Sequence, residues 1–375
     1  MKRVIIVGAN SFVASHFVHE LLQNNYEVVA LVRSNSEYSA QERMDQALID
    51  TTLGYPTHHG RLQVLDYALL EEDFGLDDST LKQIFNEDVD FYHFAASLKF
   101  DYQSREEIFQ TNVKGLGNSL EVFRKFARHQ DRFFFISTAY SCGLFSGVFK
   151  EIFYPEADIS SFRNYYEQSK RYAEILLEKF ISDHGISGHV IRLSQVVGNS
   201  QTGVTITDYG IFDFARRIHS LANEYPNQTI RILVDPLATQ NLISIDTTVR
   251  DLMALIEKDH IPTILNFVAN KAVQNQKIIS YISDILPIDL IPMQEISETN
   301  MNKLEQMVLA GMEFTGNYID TNIQFDTQNR DMVLPFGARE VSDESLRAML
   351  SFYLGSERTQ IREKLHSRLS NRNVG

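Results

Sequence analysis

Hydrophobic residues in the first 270 positions form short runs that alternate with longer amphipathic segments. Short runs rich in Val, Ile and Phe predict β-strands, and longer segments with helical spacing predict α-helices. The runs lie at residues 3–8, 27–32, 61–65, 89–94, 133–136, 189–193 (continuing towards 198) and 264–268. The predicted helices include residues 36–51, 77–87, 106–129, 165–184 and 247–257. This alternation predicts an α/β fold, a Rossmann-like doubly wound parallel sheet.

The pattern loosens after residue 198. Residues 199–210 are polar, and a helix at 211–223 and a short strand at 230–234 follow. We expect residues 241–246 to return to the main domain, with Asp246 as the N-cap of the next helix. Residues 271–375 are predicted to be mostly helical, with an irregular stretch at 316–335. The domain prediction is a dinucleotide-binding domain at 1–270 with a cap insertion at about 199–235, and a C-terminal substrate cap at 271–375.

The first strand ends in a glycine turn that leads directly into a helix. In a dinucleotide fold, the free N–H groups and dipole of that helix bind the pyrophosphate. Glycine usually recurs in this loop, but here the spacing is Gly8-x-x-Ser11-x-x-Ala14. If the turn needs a positive φ at Ser11, serine is costlier than glycine. The cofactor-binding residues predicted in this turn are Gly8, Asn10, Ser11, Phe12 and Val13.

The ends of the second and third strands indicate which dinucleotide is bound. An acidic residue after the second strand binds a free ribose 2′-hydroxyl, whereas Arg accommodates a 2′-phosphate. Arg33 and Ser34 stand there without an acid, which favours NADPH over NAD. Asp66 follows the third strand, where its carboxylate is within reach of an adenine amino group or caps a helix.

The fourth strand is followed by small residues, which leave room for a flat cofactor at the carboxyl edge of the sheet. These predicted cofactor neighbours are Ala95, Ala96 and Ser97. Asn112 lies on the next helix, where it either bonds the backbone of the neighbouring strand or reaches Lys170 through a water. The sequence leaves both roles open.

The chemistry centres on Thr138, Tyr166 and Lys170. Tyr166 and Lys170 are four residues apart on a predicted helix and therefore share one face. An ammonium beside a phenol favours the phenolate and lowers its pKa, which suits a general acid or base. The hydroxyl of Thr138 is expected to hold the same substrate oxygen.

Composition narrows the function classes. The net charge of −14 argues against nucleic acid as a partner, because phosphate binding needs a basic surface. No apolar run approaches the roughly 20 residues that span a bilayer. Cys142 is the sole cysteine, so no internal disulfide is expected, a reducing cytoplasmic location fits, and the thiol is interpreted as a packed side chain. Neither the adjacent His58 and His59 nor any other group has metal-site spacing, and no metal is predicted.

Taken together, these motifs resemble the extended short-chain dehydrogenase/reductase superfamily over most of residues 3–270. Several features resemble its thioester reductase and fatty acyl reductase branch, the male-sterility type. They are the Leu31-Val32-Arg33 end of the second strand, Phe74-Gly75-Leu76, the Ala95–Phe100 segment, Ser137-Thr138-Ala139-Tyr140, the Asn164–Lys170 segment and the segment Arg192–Gly198. The resemblance implies catalytic roles for Thr138, Tyr166 and Lys170, with Asn112 as a further candidate. It also places Tyr166, Lys170, Leu193 and Val196 in the cofactor site.

The resemblance implies an NADPH-dependent reductase that converts an acyl thioester to an aldehyde or alcohol. The thioester would be bound to coenzyme A or to an acyl carrier protein, and a homodimer is left open. One alternative is a sugar-nucleotide epimerase or dehydratase, or an alcohol dehydrogenase, on the same scaffold. Another is a catalytically silent dinucleotide-binding regulator, which the imperfect glycine loop motivates. A basic C-terminal segment from Arg358 to Arg372 is interpreted as a solvated helix end or a contact for an anionic partner.

Overall fold

The computed structural model describes residues 2–53, 60–311, 318 and 320–355. The chain divides into two compact units. The first comprises Met1–Ser194, Thr248–Phe267 and Phe325–Phe336. The second comprises Gln195–Thr247, Val268–Gln324 and Gly337–Gly375.

The strands in chain order are β1 (Arg3–Val7), β2 (Glu27–Val32), β3 (Leu62–Asp66), β4 (Val89–His93), β5 (Arg132–Thr138), β6 (Val148–Phe149), β7 (Ser187–Leu193), β8 (Gln195–Val197), β9 (Gln228–Leu233), β10 (Thr239–Gln240), β11 (Leu242–Ser244), β12 (Ile264–Phe267), β13 (Val273–Gln274), β14 (Ile288–Met293) and β15 (Gln324–Phe325). The α-helices are α1 (Phe12–Gln23), α2 (Ala40–Thr52), α3 (Asp78–Ile84), α4 (Arg105–Phe109), α5 (Gly115–Phe126), α6 (Tyr165–His184), α7 (Ile211–Glu224), α8 (Ile245–Ile256), α9 (Asn275–Ile285), α10 (Lys303–Gly311), α11 (Gln328–Val333) and α12 (Asp343–Leu354).

The first unit is built on a seven-stranded parallel sheet in the order β12-β7-β5-β4-β1-β2-β3. The predicted α/β doubly wound fold is confirmed. The inner strands of the sheet are buried on both faces, and β5 is buried along its whole length, whereas the edge strand β3 contains no buried residue. Strand order reverses between β1 and β4, and ligands of such sheets bind in the crevice at the carboxyl ends beside this switch point.

The helix predicted at 106–129 is interrupted. A π-helical turn at Gln110–Lys114 separates α4 from α5. Gly115 follows the turn, and a Cβ on it would lie 2.7 Å from a methyl carbon of Leu69. The backbone packs too closely there for a larger residue, and π-turns of this kind are frequent at functional sites.

Residues 325–336 belong to the first unit, although the sequence analysis placed them in the C-terminal cap. The amide of Asn266 on β12 donates to the carbonyl of Asp326 at 2.8 Å. The Glu151 carboxylate accepts a hydrogen bond from the backbone N–H of Asn266 at 2.7 Å, and also from the backbone N–H of Asn329 in α11. These contacts pair groups far apart in the chain, which no local hydrophobic pattern encodes.

The second unit contains the parallel pairs β8–β11 and β9–β14 and the antiparallel pair β10–β13. Two expectations for residues 241–246 are wrong. This segment forms β11 against β8 in the second unit, not a strand of the main sheet. Asp246 lies inside α8 and accepts hydrogen bonds from the N–H and hydroxyl of Ser200 at 2.7 and 2.6 Å, so it is not the N-cap.

Across the ranges given above, no helix is long and apolar enough to cross a membrane.

Candidate active site

Gly8 directly follows β1 and packs against the start of the loop after β4. Its φ is +78°, and a Cβ built on it would lie 2.8 Å from the backbone nitrogen of Ala95. Real Cβ atoms do not approach backbone atoms so closely, and side chains rarely adopt this φ. Glycine is therefore required at this position for two independent reasons.

Ser11 is the N-cap of α1 and has an extended backbone, with φ −75° and ψ 161°. The turn does not need a positive φ there, so the cost that the sequence analysis allowed for does not arise. Its side chain makes no capping hydrogen bond, and the first turn of α1 has no acidic residue. Half-buried Asn10, Phe12 and Val13 surround this helix N-terminus, and Ala14 is buried beneath it. Such an end favours an anionic group.

The ends of β2 and β3 are tied together by Asp66. Its carboxylate accepts a hydrogen bond from the backbone N–H of Ser34 at 2.9 Å. Hydrogen bonds from Ser34 lower the pKa of Asp66, so the group is anionic at neutral pH. The contact with an adenine amino group stays a prediction.

Arg33 is exposed at the end of β2, and the guanidinium of Arg43 on α2 donates to its backbone carbonyl. Arg43 is not among the residues predicted from the sequence, because its link to Arg33 spans a loop. Both arginines also lie close enough to buried Tyr67 to oppose the rise in its phenol pKa that burial causes. Two cations therefore flank the position where a ribose 2′-substituent is expected.

Asn112 is 1% exposed in the π-turn. Its side chain accepts from the N–H of Ser97 at 2.7 Å and donates to the carbonyl of Ser97 at 3.2 Å. It also donates to the hydroxyl of Ser169 on α6 at 2.8 Å. Asn112 thus bonds the backbone after β4, the first of the two roles left open by the sequence. Ala96 precedes this clamp and is half-buried.

Lys170 is 3% exposed, and its Nζ donates to the carbonyl of Ile136 on β5 at 2.8 Å. Burial lowers the pKa of Lys170 to about 7, against an opposing effect of Glu174. Burial also lowers the pKa of His93 to about 3, with the charge of Lys170 as the second cause. Lys170 is therefore an ammonium ion only below about pH 7 in the cofactor-free protein.

Tyr166 lies in the first turn of α6, one turn before Lys170 on the same helix face. Asn164 caps this helix by accepting from the N–H of Glu167 at 2.9 Å. The Tyr166 ring is half-buried and packs edge-to-face on Phe100, with centroids 5.3 Å apart. Sequence reasoning missed Phe100 as a neighbour.

Thr138 is the last residue of β5 and pairs in register with Leu193 of β7. Its hydroxyl donates to the carbonyl of Leu193 at 3.4 Å and accepts from the N–H of Tyr140 at 3.2 Å. The first bond is long and therefore weak, and the role of Thr138 at a substrate oxygen stays a prediction.

A buried ion pair beneath these residues was not predicted. Glu174 accepts from Arg192 at 2.7 and 3.0 Å and from the hydroxyls of Ser137 and Ser141 at 2.6 and 3.0 Å. Both charged side chains are at most 1% exposed. The only sequence signal is the position of Glu174, one helical turn after Lys170. The pair joins α6 to β5 and β7 at the site.

The remaining predictions have different outcomes. Cys142 is buried and its pKa is raised to about 12, which confirms a packed, unreactive side chain. Val196 lies on β8 in the second unit, and its role at the cofactor stays a prediction. His58, His59 and the basic C-terminal segment fall outside the described residues. Where side chains are described, no group of three or more His, Cys, Asp or Glu is arranged to hold a metal.

This protein was compared with protein families, curated proteins and solved structures. The family model described as male sterility protein matches residues 6–252. The chain belongs to this family. The family model is that of an NAD(P)-binding domain. A search of curated proteins gives no match.

Solved structures share the fold at low sequence identity. The terminal R domain of the myxalamid PKS-NRPS biosynthetic pathway is 19% identical with a TM-score of 0.74, covering 94% of this chain and 90% of that one. A thiolation-reductase di-domain from an archaeal non-ribosomal peptide synthetase is 20% identical with a TM-score of 0.69, covering 94% and 75%. UDP-glucuronic acid 4-epimerase from Bacillus cereus, in complex with NAD, is 19% identical with a TM-score of 0.64, covering 95% and 97%.

Proposed function

We propose that this male sterility family member is an NADPH-dependent reductase that converts an acyl thioester to an aldehyde or an alcohol. The observation that carries the proposal is the pair of side chains on the first two turns of α6. There Tyr166 and buried Lys170 share one helix face, and Lys170 reaches β5 just before Thr138. This supplies an acid, a cation and a hydroxyl dipole at the carboxyl edge of the sheet.

The residues at the strand ends fit a dinucleotide phosphate. The close backbone approach at Gly8 and the unacidic N-terminus of α1 suit a pyrophosphate. Arg33 and Arg43 at the end of β2 suit a 2′-phosphate, which supports NADPH over NADH.

The bound cofactor would supply hydride to the carbonyl carbon of the substrate. Lys170 would hold the nicotinamide ribose hydroxyls, and its charge would favour ionisation of Tyr166. Tyr166 would donate its proton to the carbonyl oxygen as negative charge develops there, which gives a hemithioacetal. Thr138 would donate a hydrogen bond to the same oxygen after leaving the carbonyl of Leu193. The C–S bond of the hemithioacetal would then break, with its hydroxyl proton passing to the departing sulfur, to release the aldehyde and the thiol of the acyl carrier. Reduction of the aldehyde to the alcohol would consume a second NADPH.

The thioester class is supported by the family and by the fold shared with the two reductase domains of carrier-linked pathways. The substrate would then be carried by coenzyme A or by a separate acyl carrier protein. The fold shared with the NAD-bound UDP-glucuronic acid 4-epimerase supports a second candidate, a sugar-nucleotide epimerase or dehydratase.

The test is NADPH oxidation by purified protein, screened against acyl-CoA, acyl groups on a carrier protein and free aldehydes, together with product analysis after incubation with UDP-sugars, whose epimerisation consumes no NADPH. We expect turnover with a thioester, a strong preference for NADPH over NADH, and loss of most turnover in Tyr166→Phe with NADPH binding retained. Protein that carries tightly bound NAD, ignores thioesters and converts UDP-sugars would establish the second candidate instead. Wild-type turnover in Tyr166→Phe would overturn the assigned chemistry.

A further inference from the structure

The loop between β4 and α4 packs one aromatic side chain against the proposed catalytic tyrosine. We propose that Phe100 is a positioning residue: the loop, anchored by Asn112, holds the Phe100 ring against Tyr166 and fixes the direction of its phenol group. This inference rests on the proposed function, because it assigns the direction of the proton that Tyr166 donates.

The contact between the two rings is specific in geometry. The centroids of Phe100 and Tyr166 are 5.3 Å apart and the planes meet at 63°. Aromatic pairs prefer this edge-to-face arrangement at such a distance, so rotation of either ring loses favourable contact. Rotation of the Tyr166 side chain about its Cα–Cβ bond would swing the whole ring and move its hydroxyl away from the substrate oxygen, and the Phe100 ring opposes that movement.

The start of the loop is bonded to the helix that carries Tyr166. Asn112 binds both backbone groups of Ser97 and donates to the Ser169 hydroxyl. That hydroxyl donates to the backbone carbonyl of Tyr166 at 2.8 Å. A continuous set of hydrogen bonds therefore joins the Ser97 backbone to the first turn of α6.

The far end of the loop is also held. The Asp101 carboxylate accepts from the N–H and hydroxyl of Ser104 at 2.8 and 3.0 Å. Lys99 forms an ion pair with Glu107 on α4 at 2.7 Å. Phe100 thus lies between two anchors that are only a few residues apart, which restricts where its ring can go.

The same loop provides a matched control. Tyr102 is 62% exposed and packs edge-to-face on Tyr165, with centroids 5.3 Å apart. Tyr165 precedes Tyr166 but does not share its helix face. Loss of the Tyr102 ring removes a comparable contact from the same loop without touching Tyr166.

The first experiment compares Phe100→Ala, Phe100→Tyr and Tyr102→Ala in the NADPH oxidation assay. We expect Phe100→Ala to lower kcat by about tenfold or more, with an unchanged KM for NADPH, since a misdirected acid loses rate and not cofactor affinity. Phe100→Tyr should restore most of kcat, and Tyr102→Ala should stay near wild type.

Asn112→Ala should lower kcat in the same way, and the Phe100→Ala and Asn112→Ala effects should not add, because both act through one loop. Additive effects would mean that Asn112 acts by another route and would overturn the anchoring part of the inference. Melting temperatures of all variants identify any that fail to fold.

A second experiment, which needs no turnover, follows the ionisation of Tyr166 by ultraviolet absorbance. The signal of Tyr166 is the difference between a protein with Tyr166 and the same protein carrying Tyr166→Phe, and it is measured in the wild-type and the Phe100→Ala backgrounds. A shift in the Tyr166 titration caused by Phe100→Ala, and not by Tyr102→Ala, supports the inference. If Phe100→Ala resembles Tyr102→Ala in both assays while Tyr166→Phe abolishes turnover, the inference is wrong and the proposed function stands. If no thioester, aldehyde or other carbonyl is reduced, the proposed function fails, and the titration alone decides whether Phe100 controls the phenol.

Discussion

Lys170 shows how burial changes the chemistry expected of a residue. A lysine beside a tyrosine suggests a permanent ammonium, but desolvation lowers the pKa of Lys170 to about 7. The charge of Lys170 therefore changes near neutral pH. A small change in the pKa of Lys170 on cofactor binding would alter its electrostatic effect on Tyr166.

This burial predicts a pH-dependent stability difference between wild type and Lys170→Met. The pKa of Lys170 is about 7 when folded, against an ordinary value of 10.5. Between these values the unfolded chain binds the extra proton, so wild-type stability rises with pH relative to the variant. Below pH 7 the buried charge destabilises wild type by a few kcal/mol relative to high pH. Denaturant unfolding of the cofactor-free proteins from neutral to alkaline pH measures this. A constant gap, as expected for the exposed control Lys82→Met, would contradict it.

Arg43 carries a prediction about cofactor choice. If Arg33 and Arg43 bind the 2′-phosphate, Arg43→Ala should weaken NADPH binding by roughly ten- to a hundredfold, the worth of one charged hydrogen bond. NADH binding should hardly change, because it lacks that phosphate. Fluorescence titration with both cofactors measures this at fixed salt concentration, with the exposed Arg124→Ala as control. An equal loss for NADPH and NADH would place Arg43 outside the phosphate site.

At the level of elements, the site depends on how α6 is fixed to β5 and β7. Its first two turns present Tyr166 and Lys170, and one turn after Lys170 the Glu174 carboxylate accepts hydrogen bonds from Arg192 and Ser137. Ser137 directly precedes Thr138. The buried pair therefore fixes the helix and the strand end that carry the three proposed catalytic groups.

Arg192→Met should destabilise the protein by about 3–5 kcal/mol, because it leaves the Glu174 carboxylate buried without its cation. Adding Glu174→Gln should recover part of the loss, since the uncompensated charge is then removed. The matched control is Arg124→Met, which breaks an exposed pair with Glu121 and should cost less than about 1 kcal/mol. Denaturant unfolding measures all three proteins. Equal losses in Arg192→Met and Arg124→Met would show that the pair contributes little.

At the scale of the whole molecule, cofactor binding should depend on the close contact between the loops that follow β1 and β4. Gly8 follows β1 and lies against Ala95, which follows β4. These two strands are adjacent in the sheet but far apart in the sequence. A ligand that binds only the folded state stabilises it by about 2.7 kcal/mol at a hundredfold excess over its Kd.

We expect saturating NADPH to raise the melting temperature of wild type and to leave that of Gly8→Ala nearly unchanged. Gly8→Ala adds both backbone strain and a collision with Ala95. Gly185→Ala is the control, because Gly185 has a φ of +66° with open space around it. A Gly185→Ala protein should lose some stability and keep its full response to NADPH. A full response in Gly8→Ala would remove the pyrophosphate site from the β1 turn.

Hydrophobic periodicity by itself determined the α/β sheet, the positions of its strands to within one or two residues at each end, and the bounds of helix α6, because these depend on which residues local segments bury. Spacing also placed Tyr166 and Lys170 on one face of α6. Only the tertiary structure decided that Leu242–Ser244 pairs with β8, that residues 325–336 join the first unit, and that Arg43, Phe100 and the Glu174–Arg192 pair surround the site. These outcomes are set by contacts between distant segments and by the desolvation that follows, and neither is written in any local pattern.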